Sequence, residues 1–242
     1  MPFSQQIMPQ YRDADEDGLI GLRGCMRYFQ DIHTWFMHAY DKGNDVLPEK
    51  YGAGWVYTRY HVRVAEKIDY RDKLNLTAWM EPYRQPVLVN VCVTVQQHGR
   101  TKACGRLECC LFHIERRRPL RLSAVDFPEG IPEEIDGGIP AFRGIDRSQE
   151  SMEERMLRTV RFSDIDKNRH MNNLRYVEMF QDAHDSAFWA QRQPDAMEIC
   201  FLSQALEGET LRVMDREDAS GIHMAVEHAD GKLASVAWFG RE

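Results

Sequence analysis

A segment that occurs twice constrains this chain more than any other feature. Residues 162–182 read Phe-Ser-Asp-Ile-Asp-Lys-Asn-Arg-His-Met-Asn-Asn-Leu-Arg-Tyr-Val-Glu-Met-Phe-Gln-Asp, and residues 11–31, lying 151 positions earlier, share the layout. Asp13 falls under Asp164, Asp15 under Asp166, and Phe29-Gln30-Asp31 under Phe180-Gln181-Asp182. A period near 150 residues is too long for a solenoid and points to two fused copies of one domain. The copies differ in their polar residues: Asn168 stands over Asp17 and His170 over Leu19. An Asp-x-Asn-x-His set kept in one copy implies one working site in a two-unit protein.

The pattern after each segment is the same. Leu22, Met26, Phe29, Ile32, His33 and Phe36 recur at spacings of three and four, one apolar face of a helix that Gly43 and Asn44 would stop. Strands are expected near Trp55–Val64, Leu74–Met80, Val87–Gln97 and Lys102–Ile114. Val87, Val89, Val91, Val93 and Val95 give the clearest two-residue period. His98-Gly99-Arg100 reads as the hairpin turn between the last two. Residues 119–150 lose apolar periodicity and mix Pro119, Pro128, Pro132 and Pro140 with glycines, the composition of a linker. The order then repeats. Met156–Phe162 is strand-like, Leu174 to Phe188 is a helix, and strands follow near Met197–Ala205, Thr210–Asp215, His223–His228 and Leu233–Phe239, with Asp230-Gly231 a two-residue turn. The expected fold is α+β, each unit a long helix packed on an antiparallel sheet. Its parts are an N-terminal unit 1–118, a linker 119–150 and a C-terminal unit 151–242.

Composition excludes several classes of function. A formal net charge of -7 argues against a general nucleic-acid binder, which needs a basic face. Six cysteines without paired C-x-x-C spacing indicate neither a zinc site nor a disulfide framework. No signal peptide and no apolar run of membrane-spanning length is visible, so a cytoplasmic protein is expected. His33 and His184 fall on helix faces and His61 among strand residues, while His98, His113, His223 and His228 are scattered without metal-ligand spacing.

Asp166, Asn168 and His170 precede a helix, where backbone N–H groups are free and the helix dipole favours negative charge. A carboxylate or imidazole there can take a proton from water, and an amide can orient the nucleophile. Together they suit hydrolysis of an activated acyl group. Helix capping is the competing use of such residues, and Asn172 or Asn173 can fill that role. Capping would be needed equally in the first copy, which lacks the Asn and the His.

Residues 160–176, with Leu76-Thr77-Ala78-Trp79-Met80 and Arg116-Arg117-Arg118-Pro119-Leu120-Arg121-Leu122, resemble the acyl-ACP thioesterases of plants and bacteria. The resemblance covers nearly the whole chain. It implies a tandem (double) hotdog and hydrolysis of fatty acyl-ACP without cofactor or metal, the alternatives being an acyl-CoA thioesterase of the same fold and a non-catalytic acyl-binding protein. The implied partner is acyl carrier protein, with no nucleic acid or membrane and a monomeric or homodimeric state. Asp166, Asn168 and His170 match the family's catalytic residues. The plant enzymes carry an acidic residue and a cysteine about 35 residues further on, where this chain has Gln204 and Ala205. A cysteine or glutamate mechanism therefore cannot run through those positions. Water attack is expected, with Asp166 or His170 as base, or direct attack by Asp166, and with Asn168 and Gln204 orienting water or the acyl carbonyl. An apolar groove is expected against the first unit, where Met26, Phe29, Trp55 and Trp79 read first as core.

Overall fold

The computed structural model describes residues 2–82, 87–128, 130–135 and 137–242 and divides into two compact units, Met1–Ala141 and Phe142–Glu242. In unit 1 the strands are β1 (Phe3–Ile7), β2 (Leu19–Ile20), β3 (Ala53–Val64), β4 (Ile68–Asp69), β5 (Leu74–Met80), β6 (Leu88–Gln97), β7 (Arg100–His113) and β8 (Arg118–Pro119). Its helices are α1 (Leu22–His38) and the short α2 (Leu47–Tyr51). The sheet runs β1-β5-β6-β7-β3, all antiparallel, while β2 pairs with β4. Val89, Val91, Val93 and Val95 of β6 are buried, as their alternation predicts. Met26, Phe29, Ile32 and Phe36 of α1 are fully buried with them, closing the core of the unit. Trp55 and Trp79 are buried as well.

Unit 2 contains β9 (Glu153–Thr159), α3 (Asn173–Asp182), α4 (Ser186–Arg192), β10 (Ala196–Phe201), β11 (Thr210–Asp218), β12 (Gly221–Glu227) and β13 (Leu233–Gly240). Its sheet runs β10-β13-β12-β11-β9, again antiparallel. Phe180 of α3 meets Phe239 of β13 edge-on at 6.3 Å, so the helix lies on that face of the sheet. The double hotdog class expected from the sequence is thus the observed fold.

Several boundaries differ from expectation. The first helix ends at His38 rather than near Gly43, and Asp41 takes a left-handed φ of 56° beyond it. The second is two helices, because the carboxylate of Asp185 accepts from Phe188 N (2.8 Å) and starts α4 afresh. The first strand of unit 2 begins at Glu153, and β10 stops at Phe201, leaving the rest of the expected strand as a loop. Between β12 and β13 the turn is longer than two residues: His228 N donates to Lys232 O (2.9 Å) around Ala229-Asp230-Gly231.

The proline- and glycine-rich stretch is structural in both units. In unit 1, Glu133 N donates to Met80 O (2.9 Å) and Arg106 Nη2 to Ile139 O (3.3 Å). In unit 2, residues facing one another across β10, β13, β12 and β11 form the row Glu198, Trp238, His223 and Arg216 on the face away from α3. Residues 143–146 cross that row. Arg143 N donates to Glu198 Oε2 (2.7 Å), its guanidinium lies 4.0 Å over the Trp238 ring, and Arg216 Nη2 reaches Asp146 Oδ2 (2.8 Å). Ile145 and Met152 pack on the adjoining row of Cys200, Val236, Ala225 and Met214. Among the described residues no helix is long and apolar enough to cross a membrane.

Candidate active site

Both copies of the duplicated segment build one turn. A short 3-10 helix, Tyr11–Asp13 or Phe162–Asp164, is closed by a buried aspartate. Asp13 accepts from Gln10 N and Tyr28 Oη (3.1 and 2.9 Å), and Asp164 accepts from Arg161 N and Arg158 Nη2 (2.9 and 2.8 Å). The next loop repeats bond for bond. Asp15 N donates to Leu19 O (2.8 Å) and Gly18 N to Asp15 O (3.0 Å), while Asp166 N donates to His170 O (3.1 Å) and Arg169 N to Asp166 O (3.0 Å). Gly18 and Arg169 occupy the same left-handed position, with φ of 76° and 66°. An arginine there costs about 1 kcal/mol that glycine avoids.

The two aspartates diverge in what surrounds them. In unit 1 the Asp15 carboxylate lies against Gly21 at the start of α1, so close that a Cβ on Gly21 would sit 2.5 Å from Oδ2. Arg23 neutralises it at 3.3 Å. The positions matching Gly21 and Arg23 in unit 2 are Asn172 and Leu174. Asn172 has the Cβ that Gly21 lacks, and it caps α3 by accepting from Leu174 N (2.9 Å). Asp166 therefore cannot close over the helix start. Its Oδ1 accepts from Asn168 N (2.7 Å), and it has no ion pair among the described residues.

His170 is half-buried beside it. Its Nδ1 lies 3.2 Å from the Met171 carbonyl, which only accepts, so Nδ1 carries hydrogen, and in the neutral ring the lone pair is on Nε2. Among the described residues that Nε2 has no partner. At the start of α3, Leu174 N is capped by Asn172 and Arg175 N donates to Asn172 O (2.9 Å). Asn173 N, at the positive end of the helix, has no hydrogen-bond partner among the described residues.

The loop after β10 comes to this turn through its backbone: Met171 N donates to Ala205 O at 2.8 Å. Ala205 is buried, whereas the Gln204 and Asn168 side chains are exposed and make no hydrogen bond among the described residues. The geometry thus joins Asp166, His170 and the loop of Gln204, and leaves Asn168 and Gln204 facing solvent. Sequence reading missed a further set here. Ser203 Oγ lies 2.9 Å from His228 Nε2, whose Nδ1 lies 3.0 Å from Glu209 Oε2. Ser203 and Glu209 lie at the two ends of one loop and His228 follows β12, with no spacing signal to group them. Among the described residues no group of His, Cys, Asp or Glu is placed to hold a metal ion.

Residues 146–235 match the family described as acyl-ACP thioesterase C-terminal domain. No curated protein matches the chain. Among solved structures, an acyl-ACP thioesterase from Bacteroides thetaiotaomicron superposes with a TM-score of 0.82 at 18% identity, covering 98% of this chain and 96% of that one. The 12:0-ACP thioesterase from Umbellularia californica gives 0.79 at 16% identity, covering 99% and 96%. Residues 146–235 thus match the acyl-ACP thioesterase C-terminal domain family, and the whole chain shares the fold of solved acyl-ACP thioesterases, as the sequence resemblance implied.

Proposed function

We propose that the protein hydrolyses the thioester of a fatty acyl group carried on acyl carrier protein, releasing the free acid and the carrier thiol. The observation that carries this reading is the unpaired polar turn of unit 2. Asp166 lacks the cation that neutralises Asp15, and His170 presents a free Nε2 lone pair next to it. In the proposed reaction His170 Nε2 takes a proton from water as its oxygen attacks the thioester carbon, and the imidazolium returns that proton to the carrier sulfur as the C–S bond breaks. Asp166 stabilises the imidazolium that results, through charge. The oxyanion gathers at the start of α3, where Asn173 N–H and the helix dipole favour negative charge. Asn168 and Gln204, both exposed, orient water or the acyl carbonyl. No cofactor enters the scheme. Unit 2 carries the turn.

Thiol release from acyl-ACP of several chain lengths tests the reading, with acyl-CoA of matched length as the second carrier. Asp166→Asn and His170→Ala are each expected to lose at least about a hundredfold in kcat. Wild-type turnover in both would refute the assignment. Equal or higher kcat/KM on acyl-CoA would move the carrier to CoA, and tight acyl binding without thiol release would refute hydrolysis.

A further inference from the structure

The loop from Ser203 to Glu209 carries Gln204 and Ala205 to the turn, and His228 joins its two ends. Proton counting fixes the sense of these bonds. Ser203 Oγ is 2.8 Å from the Leu233 carbonyl and 2.9 Å from His228 Nε2. The hydroxyl has one hydrogen and the carbonyl can only accept, so the hydrogen goes to Leu233 and His228 Nε2 must donate to Ser203. On the other side a single proton lies between His228 Nδ1 and Glu209 Oε2, 3.0 Å apart. His228 therefore has no lone pair turned toward Ser203. The arrangement has the outline of a nucleophilic triad, and its hydrogen is directed the wrong way for one.

The two ends of the loop are anchored to α3, to β13 and to the chain just before the turn. Ser203 O accepts from Tyr176 Oη (3.4 Å) on α3, and Ser203 N donates to Ala234 O (3.2 Å). Glu209 O accepts from Val160 N (2.8 Å), and Gly208 N donates to Val160 O (2.9 Å), just before the duplicated segment. Between these anchors the loop makes its contact with the turn, Met171 N to Ala205 O. We propose that His228 is a positioning residue. By bridging Ser203 and Glu209 it fixes where the 203–209 loop meets the Asp166–His170 turn, and so where Gln204 stands relative to the reacting groups. The kinetic part rests on the hydrolase reading; the structural part does not.

The test therefore has two readouts on the full chain. The first is amide hydrogen exchange at Met171, which needs no substrate. His228→Phe and Ser203→Ala are each expected to raise it about tenfold or more, while thermal denaturation still shows a folded protein. The second is kinetics with an acyl thioester. His228→Phe is expected to lower kcat roughly tenfold with KM within about twofold, and His228→Gln, which keeps a donor toward Ser203, to recover part of the loss. Because the bridge acts through Gln204, His228→Phe in a Gln204→Ala background should cost little beyond Gln204→Ala alone. Unchanged exchange at Met171 overturns the proposal, as do losses that multiply in the double variant. A loss of about a thousandfold in Ser203→Ala, with labelling of Ser203 by a fluorophosphonate, overturns it in favour of a serine nucleophile. If the wild type turns over no acyl thioester, the hydrolase reading fails, and exchange at Met171 still decides whether His228 sets the loop.

Discussion

Asp15 and Asp166 start from the same backbone and end in different chemistry because of two neighbours. Gly21 leaves room for the Asp15 carboxylate at the helix start, and Arg23 holds it there. Asn172 and Leu174 remove both the room and the cation. It follows that unit 2 can be made to sequester its own aspartate. Asn172→Gly with Leu174→Arg should let Asp166 fold over the start of α3 and pair with the new arginine. Losing the Asn172 cap costs only a few tenths of a kcal/mol when glycine replaces it, so the variant should stay folded. Its kcat on an acyl thioester should fall about tenfold to a hundredfold, approaching the loss in Asp166→Asn. Turnover equal to wild type, in a crystal structure with Asp166 paired to Arg at 174, would show that a free Asp166 is not required. Asp166, Asn168 and His170 stand out as candidates in the sequence because a second copy lacks two of them. The neighbours that set Asp166 free were not legible as such, since a glycine and an asparagine before a helix are both ordinary caps.

Among the elements, strands with alternating apolar residues were legible, and β5 was read to the residue at Leu74–Met80. The misread elements are those whose reason lies elsewhere in the fold. β1 alternates weakly and is a strand because it pairs with β5 from Phe3↔Ala78 to Ile7↔Leu74. The second helix looked continuous because Phe180, His184 and Phe188 keep a spacing of four. In the structure His184 instead stacks on Phe188 with ring centroids 3.6 Å apart and pairs with the buried Asp215. Residues 143–146, within the stretch read as a linker, strap across the unit 2 sheet because Glu198, silent in a sequence, is a buried carboxylate that needs donors, and Arg143 N is one of them. Glu198→Ala should leave that N–H without its acceptor and free the strap. We expect unfolding free energy to fall by about 1–3 kcal/mol and limited proteolysis to cut near Arg143 faster than in wild type. Unchanged stability and cleavage would mean that the Trp238 and Arg216 contacts hold the strap without Glu198.

At the scale of the molecule, the two-unit architecture followed from the repeat, yet the repeat says nothing about what each interior tolerates. Unit 1 encloses a polar group its helix pattern had counted as part of an apolar face. His33 is buried, with Nδ1 2.9 Å from Tyr57 Oη and Nε2 3.6 Å from Cys109 Sγ. Burial drives its imidazole down to about 3 and pushes the Tyr57 hydroxyl and the Cys109 thiol up, so all three are neutral at physiological pH. The consequence is a pH-dependent term in the stability of the fold. In the unfolded chain His33 takes up a proton below about pH 6.5, and in the fold it does not until about pH 3. Between those limits the unfolded state binds the extra proton, so stability contributed by this residue is complete above the upper limit and lost as pH falls. The slope amounts to about 1.4 kcal/mol per pH unit. Denaturant titrations of wild type and His33→Gln between about pH 6 and about pH 4 isolate it from the carboxylates, which are common to both. Wild type should lose stability more steeply than the variant by nearly that slope, whatever the variant's starting stability. Parallel slopes would mean that protons reach His33 inside the folded unit, and that its pairing with Tyr57 and Cys109 does not keep it neutral.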